Sequence, residues 1–403
     1  MDGIFSDVIV LELAGVLAGP SVGQFFAELG ARVIKLENTT TNGDVTRTWK
    51  MPGEEGDQLS SYFHACNWGK ESIAVNLVSV EGQAIFSELV AKTDVVISNY
   101  VPRVAKSLNA DYASLKAIKP DIICGSIVGY APDSNRPGYD AIIQAESGYY
   151  HINGAPKSEG GAPTKMPVAL MDILAGHQLK QAILIALYNK LKTGKGASVT
   201  VSLFDAAVSA MANQATNWLV AGIIPDRIGS EHPNIAPYGS VYEAQEGQQL
   251  VLGVGTDRQF AQLCAVLGLD EVAHDIRFKT NTDRVQNRHT LNDVLGKAIA
   301  SFNRASLLKT LNNKGVPSGA VHAMDEVFDV TPEHVVLRDE EGQARGVSEY
   351  IVWPNEENSF MKGTSSKLSP PPSFAKHTRT VLKTMLGYSD DQITEWTDLE
   401  VIK

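Results

Sequence analysis

The sequence predicts an α/β protein with a parallel, doubly wound β-sheet and a second, smaller domain. Between residue 7 and about residue 130, short β-branched segments alternate with helical patterns, and the β-branched segments are almost continuously apolar. Strands of this kind are typical of parallel sheets that helices cover on both faces. The chain has 403 residues. Because a typical domain has roughly 100–200 residues, two domains are expected.

The predicted elements alternate along the chain as this fold class requires. Strands are predicted at Asp7–Leu13, Arg32–Glu37, Ser72–Leu77, Asp94–Ser98 and Asp121–Ile127, and helices at 20–29, 80–92 and 173–192. The first helix has apolar residues on one face, the pattern of a helix that packs on a sheet. These residues are Val22, Phe25, Phe26 and Leu29.

The carboxyl ends of the predicted strands form the expected binding edge, because doubly wound sheets bind their ligands there. The loops at this edge begin at Ala14, Asn38, Asn76, Asn99 and Gly129. Gly15 and Gly19 lack the full Gly-x-Gly-x-x-Gly spacing, so a dinucleotide site, and with it a dehydrogenase, is weakly supported. Lys35 and Glu37 are equally compatible with a solvated strand end.

The pattern changes after about residue 222. Pro225, Pro233 and Pro237 interrupt the chain before a predicted hairpin at 239–252. Helices rich in Arg, Asn and Asp follow to about residue 315, which predicts a small domain at 225–325. Farther on, we expect Ser369–Pro372 to be a surface loop and Arg379–Leu386 to be the last amphipathic helix.

The composition narrows the classes of ligand. With 35 basic and 46 acidic residues the net charge is −11, which argues against nucleic acid and anionic membranes as partners. A small anionic ligand is still compatible with this charge, because backbone amides bind phosphate. The N-terminus lacks a signal-peptide pattern, and Cys66, Cys124 and Cys264 are widely spaced. We therefore expect a cytoplasmic protein with reduced thiols, no membrane span and no metal-ligand cluster.

Asp172 is the residue that points most clearly to chemistry. It follows an apolar segment, Val168–Met171, and precedes another, Ile173–Ala175, so its carboxylate is expected where water is scarce. A buried, unpaired carboxylate is unfavourable unless its pKa shifts or it binds something. The alternative reading is a helix N-cap, a position that Asp favours.

Several segments, taken in order and spacing, resemble the class III CoA-transferases from about residue 7 to the C-terminus. They are Leu17–Pro20, Gly30–Glu37, Gly43–Arg47, Gly69–Ile73, Asp94–Tyr100, Ser126–Tyr130, Arg136–Gly148 and Val201–Ala206. In that family the aspartate that matches Asp172 is the nucleophile. The resemblance implies CoA transfer from an acyl-CoA to a carboxylic acid through an aspartyl mixed anhydride and an aspartyl-CoA thioester. CoA is then a substrate, and no permanent cofactor is implied.

The resemblance also implies an architecture that composition and periodicity do not predict. Residues 1–224 and 326–403 would form a large Rossmann-like CoA-binding domain, and residues 225–325 the small domain. Two ring-shaped protomers would be interlocked in a homodimer.

The CoA site implied by the resemblance involves several strand-end loops. Matching or nearby residues are Leu17, Ala18, Asn38, Val75, Leu77, Asn99, Tyr100, Arg103, Lys106, Tyr139 and Asp140. Asn38 and Ser107 replace arginines of formyl-CoA transferase, so the partners of the CoA phosphates are unassigned. Arg47, Arg103 and Lys106 are candidates, although such residues also form solvated surfaces.

Tyr139 distinguishes two activities of the same fold. Related acyl-CoA racemases have histidine here, as half of a proton-shuttling pair. Tyrosine, with an ordinary pKa near 10, serves this purpose poorly. Tyr139 therefore favours CoA transfer, with racemisation or epimerisation as the second hypothesis and a non-catalytic CoA-binding module as a further one.

Neighbouring residues have simpler interpretations. Asp140 is compatible with a cap for the helix that follows it, and Gln144 shares its helix face. Glu146 is interpreted as a solvated carboxylate, with substrate contact as the alternative, and His177 as a packing residue. Asn234–Gly239 stands where formyl-CoA transferase has a glycine-rich flap, which argues against formyl or oxalate specificity. From family habit we expect a small dicarboxylate, such as succinate, as one substrate.

Overall fold

The computed structural model describes residues 3–54, 59–352 and 368–403. A six-stranded sheet comprises β1 (Ile9–Glu12), β2 (Arg32–Glu37), β3 (Lys70–Ala74), β4 (Val95–Ser98), β5 (Ile123–Val128) and β6 (Ala197–Ser202). Its order is β3-β2-β1-β4-β5-β6, and every pairing is parallel. In this topology the strand order reverses between β1 and β4, where a crevice opens at the carboxyl ends of the strands.

Two antiparallel sheets complete the β-structure. A three-stranded sheet has the order β7-β8-β9, and β10 pairs with β11. Their bounds are β7 (Tyr238–Glu243), β8 (Gln249–Gly253), β9 (Ser318–Ala320), β10 (Val336–Arg338) and β11 (Ala344–Val347).

The described α-helices lie between and after these strands. They are α1 (Ala18–Glu28), α2 (Ser61–His64), α3 (Val80–Ala91), α4 (Pro102–Ser107), α5 (Tyr112–Ile118), α6 (Asp140–Glu146), α7 (Tyr149–Ile152), α8 (Leu170–Thr193), α9 (Leu203–Ser209), α10 (Ala212–Ala221), α11 (Asp257–Leu267), α12 (Asp270–His274), α13 (Asn281–Gln286), α14 (Arg288–Ile299), α15 (Arg304–Asn313), α16 (Met324–Val330), α17 (Thr378–Val381) and α18 (Asp390–Asp398). A π-helical turn, Leu382–Leu386, follows α17, and 3₁₀ turns occur at Val45–Thr48, Lys157–Glu159, Gln245–Gly247, Ile276–Phe278 and Glu333–Val335.

Helices cover both faces of the parallel sheet. On one face α1 packs against α8. On the other, α3 and α5 contribute Ile85, Phe86 and Leu115 to a core that includes Leu11 and Ile34 of the strands. The nearly continuous apolar strands are explained by this arrangement, since a strand between two helix layers is buried on both sides.

The α-carbon contacts divide the chain into two units. Unit 1 comprises Met1–Ser147, Val168–Met211 and Thr331–Lys403, and unit 2 comprises Gly148–Pro167 and Ala212–Val330. Unit 1 contains the parallel sheet. Unit 2 has its own core of β7, β8 and surrounding helices. This division differs from the sequence-based bounds at 148–167, 212–224 and 326–330, and the domain assignment itself stays a prediction.

The five predicted parallel strands and the predicted hairpin are confirmed. The third strand begins and ends earlier than predicted, because Val75 instead forms an antiparallel bridge with Ile402. The sixth strand, β6, was not predicted. It lies at the edge of the sheet, and its alternating exposed positions include Ser198 and Thr200, so it lacks the apolar run of an inner strand.

Of two predictions for the C-terminal part, the last helix is wrong and the surface loop is right only in part, because Ser369 is exposed as expected. Pro371 and Pro372, expected in a surface loop, are buried, and the carbonyl of Pro372 accepts a hydrogen bond of 2.9 Å from Arg47 Nη1. The last helix is α18 rather than Arg379–Leu386, which divides into α17 and the π-helical turn.

The long helix α8 is apolar enough, and long enough, to meet the length and composition of a membrane span. In the structure it is a core helix of unit 1. Ala175, Leu179 and Ile183 are fully buried, and α8 packs on α1, β5 and β6.

Candidate active site

Asp172 is the third residue of α8, so the N-cap interpretation is wrong. The N-cap is Ala169, whose side chain cannot accept a hydrogen bond. Asp172 is only 8% exposed. Burial first, and the negative charge of Asp140 second, raise the pKa of the Asp172 carboxyl to about 7. Proximity to a helix N-terminus favours the anion, but desolvation outweighs it here.

Asp140 fixes the start of α8 from outside that helix. It is the first residue of α6. Its Oδ1 accepts a hydrogen bond of 2.8 Å from the backbone N–H of Met171, and its Oδ2 accepts one of 2.6 Å from Gln144 Nε2. The first N–H groups of a helix lack intrahelical acceptors. Asp140 therefore supplies an acceptor to α8. The expected cap of its own helix is wrong, because the N-cap of α6 is Tyr139 and no side chain caps it, while the predicted shared face with Gln144 is confirmed.

A cavity of about 210 Å³ opens beside Asp172 at the point where the strand order reverses; we call it the Asp172 cavity. Its wall includes five predicted site residues: Ala18, Asn99, Tyr139, Asp140 and Asp172. Other lining residues are Gly15, Val16, Val101, Ile127, Val128, Gly129, Pro137, Gly138 and Leu203. The loops after β1, β4 and β5, which belong to the predicted binding edge, therefore line the same cavity as Asp172.

A second cavity, of about 380 Å³, shares Gly15, Val16 and Asn99 with the first. We call it the β2 cavity, because it extends along the end of β2. Two further predicted residues, Asn38 and Tyr100, line it. Together, the walls of the two cavities contain seven of the predicted site residues.

The other predicted residues lie apart from these walls. Val75 and Leu77 are buried in the apolar core of unit 1. Arg103 and Lys106 lie on α4, and Lys106 lines a different cavity of about 420 Å³ that also includes Tyr100. Leu17 is the N-cap of α1, directly before Ala18.

The start of α1 offers hydrogen-bond donors beside Asp172. Ala18 and Gly19 are its first two residues, so their N–H groups have no acceptor within the helix. Gly176, one turn after Asp172, allows α8 to approach α1 closely. A Cβ at this position would lie 2.6 Å from Ser21 Oγ and 3.1 Å from the carbonyl oxygen of Ala18.

Val16, which sequence analysis missed, lies where the two cavities meet. Its φ of 71° is in the left-handed region, which a β-branched residue rarely occupies. Such backbone strain costs about 1–3 kcal/mol and tends to occur at functional sites. The sequence does not predict a positive φ at this position, because valine disfavours that conformation.

Lys35 and Glu37 are not solvated; their exposures are 1% and 5%. Glu37 accepts hydrogen bonds from Arg47 Nε and Nη2 at 2.9 and 2.7 Å, and one of 2.6 Å from Ser72 Oγ. With both oxygens bound in this way, Glu37 is a structural residue. The guanidinium group of Arg47 is used by Glu37 and by the carbonyl of Pro372. A role of Arg47 as a phosphate ligand is therefore not supported.

Three outer residues also have defined surroundings. Asn38 is exposed and its Oδ1 accepts hydrogen bonds from the N–H and hydroxyl of Thr40. Glu146 lies at the surface, where it pairs with Arg136 and accepts a hydrogen bond from Tyr130. His177, expected to be a packing residue, is exposed, so that interpretation is wrong.

A cavity of about 820 Å³ lies within unit 2, lined by Arg227, Glu231 and Arg288 among others. None of the predicted site residues lines it. Among the described residues, no three His, Cys, Asp or Glu side chains are grouped so that they could hold a metal ion.

Comparison with known proteins gives a consistent family. The model of CoA-transferase family III matches residues 5–372. A succinate–glutarate CoA-transferase of Agrobacterium fabrum is 38% identical over 85% of this chain and 84% of its own length. An acetyl-CoA:oxalate CoA-transferase of Acetobacter aceti is also 38% identical, over 79% of this chain and 80% of its own.

Solved structures agree with the sequence relatives. A CAIB/BAIF family protein from Brucella suis superposes with a TM-score of 0.80 at 36% identity, covering 94% of this chain and 99% of that one. The six-stranded parallel sheet and the match over most of the chain lead to one assignment: the protein belongs to CoA-transferase family III.

Proposed function

We propose that this CoA-transferase moves CoA from an acyl-CoA to a carboxylic acid by covalent catalysis on Asp172. The observation that carries the mechanism is a carboxylate that is 8% exposed yet forms part of a cavity wall. Among the described residues, Asp172 has no recorded ion-pair partner. A desolvated, unpaired carboxylate is less stabilised as an anion than one in water, and it is therefore more reactive towards a thioester.

The proposed reaction divides one difficult transfer into four steps. First, an Asp172 oxygen attacks the thioester carbonyl of the donor; the C–S bond breaks and leaves a mixed anhydride and CoA thiolate. Second, the thiolate attacks the aspartyl carbonyl, which releases the donor acid and forms the aspartyl-CoA thioester. Third, the acceptor carboxylate attacks the aspartyl carbonyl of this thioester; the C–S bond breaks, which releases CoA thiolate and leaves a mixed anhydride of Asp172 and the acceptor. Fourth, the thiolate attacks the acceptor carbonyl, giving the new acyl-CoA and free Asp172.

Each step passes through a tetrahedral oxyanion, and the residues around Asp172 support its stabilisation. The N–H groups of Ala18 and Gly19 begin α1 beside the cavity. Backbone donors at a helix N-terminus stabilise negative charge that develops in a transition state. The small residues Gly15, Gly129 and Gly138 in the cavity wall leave space for the thioester arm.

The site residues carried over from the family remain proposals. We infer that the pantetheine arm follows Ala18, Asn99 and Tyr100, with Asn38 at the β2 end and Leu17 contributing a backbone or apolar contact. Val75 and Leu77, which are buried in the core of unit 1, are left out of this proposal. Arg103 and Lys106 are the proposed phosphate ligands.

For substrates we propose a small dicarboxylate, with succinyl-CoA as one donor. The named relatives, which act on succinate, glutarate and oxalate, support this class. The oxalate relative is 38% identical, so oxalate belongs in the substrate panel even though the missing glycine flap argues against it. Screening succinyl-, acetyl- and aromatic acyl-CoAs against mono- and dicarboxylic acids tests this. Acceptance of monocarboxylic acids alone would contradict the dicarboxylate proposal.

The proposed setting is a cytoplasmic homodimer of interlocked, ring-shaped protomers with a large domain at 1–224 and 326–403. Exposed apolar side chains support association. Ile185 and Leu191 of α8 are 70% and 86% exposed, and Leu219 and Val220 of α10 are 76% and 85% exposed.

We expect acyl-CoA without acceptor to label Asp172. Hydroxylamine should convert the anhydride or thioester into an aspartyl hydroxamate that peptide mass analysis locates, and borohydride should reduce the thioester. Asp172→Asn is the matched control and should give neither label nor turnover. Full turnover alongside unmodified Asp172 would refute the mechanism.

The racemase alternative predicts a different result. It requires exchange of the α-proton of a 2-methylacyl-CoA with deuterated water in the absence of any acceptor acid. Because Tyr139 occupies the position of the racemase histidine, we expect no such exchange.

A further inference from the structure

The β1–α1 loop holds Val16 in a conformation that its own side chain opposes. Val16 has a φ of 71°, and it is part of the wall of both the Asp172 cavity and the β2 cavity. Two residues later, Ala18 begins α1 and lines the Asp172 cavity. The backbone angle at Val16 therefore sets the direction in which the first N–H groups of α1 point.

Asp44 supplies the contact that favours this angle. Its two carboxylate oxygens accept hydrogen bonds from the N–H of Val16 at 3.3 and 3.2 Å. The preceding residue, Gly15, is held on both sides by Asn99, whose Oδ1 accepts from the Gly15 N–H at 3.2 Å and whose Nδ2 donates to the Gly15 carbonyl at 2.8 Å.

The Asp44 carboxylate is itself held as an anion. Burial opposes its charge, but Lys35 and hydrogen bonds from Thr46 lower its pKa. Lys35 Nζ lies 3.0 Å from Asp44 Oδ2, while the N–H and hydroxyl of Thr46 donate to Oδ1 at 3.0 and 2.8 Å.

Lys35 joins this carboxylate to the same loop. Its ammonium group also donates to the Ala14 carbonyl at 2.7 Å and to Glu12 at 2.9 Å. The side chain is 1% exposed, so these contacts are not exchanged for water. One buried cation thus connects the end of β1, the loop carbonyl and the carboxylate that binds Val16.

We propose that Asp44, supported by Lys35, is a positioning residue for the reaction at Asp172: it keeps Val16 in the left-handed conformation and thereby aims the start of α1 at the reacting carbonyl. The inference rests on the proposed function and assigns a role to two residues that line the β2 cavity but not the Asp172 cavity. An Asn at position 44 has one acceptor oxygen, so it cannot accept from Thr46 and Val16 and also pair with Lys35.

A double-mutant cycle between Asp44→Asn and Val16→Gly tests the proposal. Glycine adopts positive φ without strain, so a loop with Val16→Gly no longer depends on Asp44 for its conformation. We expect Asp44→Asn to lower kcat about tenfold in the wild-type background, equivalent to ~1.4 kcal/mol. KM for acyl-CoA should change much less. In the Val16→Gly background, the same Asp44→Asn change should lower kcat by less than about threefold.

Two further variants separate this effect from general loss of stability. Glu28→Gln removes another buried carboxylate of unit 1, which binds Gln24, Ser348 and two backbone N–H groups away from the loop; its kcat should match wild type. If Asp44→Asn does not fold, Thr46→Val removes only one hydrogen bond from Asp44. Thr46→Val should lower kcat less than Asp44→Asn does. In the Val16→Gly background this loss should be smaller still.

Equal losses of kcat in both backgrounds would overturn the proposal, because Asp44 would then act independently of Val16. Crystal structures of the variants provide a readout that needs no activity. In Asp44→Asn, residue 16 should leave the left-handed region, and an unchanged φ would also overturn the proposal. If φ changes as expected while wild-type protein forms no Asp172 adduct, the positioning of the loop stands and the proposed function fails.

Discussion

At the scale of single residues, Asp172 combines two requirements that normally conflict. The nucleophile that we propose must be an anion, yet burial and the neighbouring Asp140 raise the pKa of its carboxyl to about 7. Hydration would stabilise the anion but would also make it less reactive and admit water, which hydrolyses anhydrides. A pKa near the working pH retains a substantial anionic fraction in a poorly solvated place.

This pKa predicts the pH dependence of turnover. In the proposed mechanism the anion attacks the thioester, so kcat/KM should rise with pH through about 7 and level off above it. Asp140→Asn removes the nearby negative charge while keeping an acceptor for Met171, so the midpoint should move to lower pH. Profiles of both proteins with one acyl-CoA test this, and an unshifted midpoint would show that burial alone sets the pKa.

The same shift predicts a gain in stability when Asp172 is made neutral. The folded protein binds the proton more tightly than the unfolded chain, so the contribution of this group is most favourable at low pH and is lost as pH rises from about 4 to 7. Asp172→Asn should therefore raise the free energy of unfolding by up to about 4 kcal/mol at pH 8 and by little at pH 4. Denaturant titrations at both pH values measure this; equal effects at the two would contradict it.

At the scale of secondary-structure elements, the site depends on how closely α8 approaches α1. Asp172 and the first N–H groups of α1 are on different helices, and Gly176 is the point of close approach between them. The volume of one methyl group is enough to disturb a well-packed contact.

Gly176→Ala should therefore separate the helices, destabilise the protein by about 1–3 kcal/mol and lower kcat. Gly296→Ala is the matched control, because Gly296 is also inside a helix, α14, and its added Cβ would be 4.0 Å from the nearest neighbour, Tyr242. That change should stabilise by about 0.5–1 kcal/mol through lower chain entropy. Thermal unfolding and kcat of the two variants test this prediction. If Gly176→Ala and Gly296→Ala changed stability and kcat by similar amounts, the α1–α8 contact would be loosely packed.

The sequence predicts secondary-structure elements well where a strand is buried on both faces. It predicts them poorly where contacts with residues distant in sequence determine the structure. The inner strands are recognisable because both faces are covered, whereas β6 is half exposed and lacks their pattern. Asp172 is identifiable from its apolar surroundings and from the family resemblance. The cap that Asp140 gives to α8, the burial of Lys35 and the angle at Val16 all depend on residues distant in sequence. No local pattern carries these three features.

At the scale of the whole molecule, exposed apolar surface is the feature that a monomer leaves unexplained. The outer positions of α8 and α10 include aliphatic side chains that are at least 70% exposed, such as Ile185 and Val220. Apolar surface of this kind is typical of interfaces. With a net charge of −11, unspecific association of chains is opposed by repulsion, and we propose that a specific homodimer covers these positions.

Interlocking makes a prediction that an ordinary dimer does not share. The solution mass should be twice the 43.4 kDa of the chain at every concentration, because linked rings cannot separate while folded. Tagged and untagged homodimers mixed under native conditions should form no mixed dimer, whereas unfolding and refolding the mixture should produce it. Affinity capture followed by mass analysis detects the mixed species. Exchange of protomers within hours under native conditions would show that they associate only through their surfaces, and would rule out the interlocked architecture. The chemistry proposed for Asp172 would be unaffected.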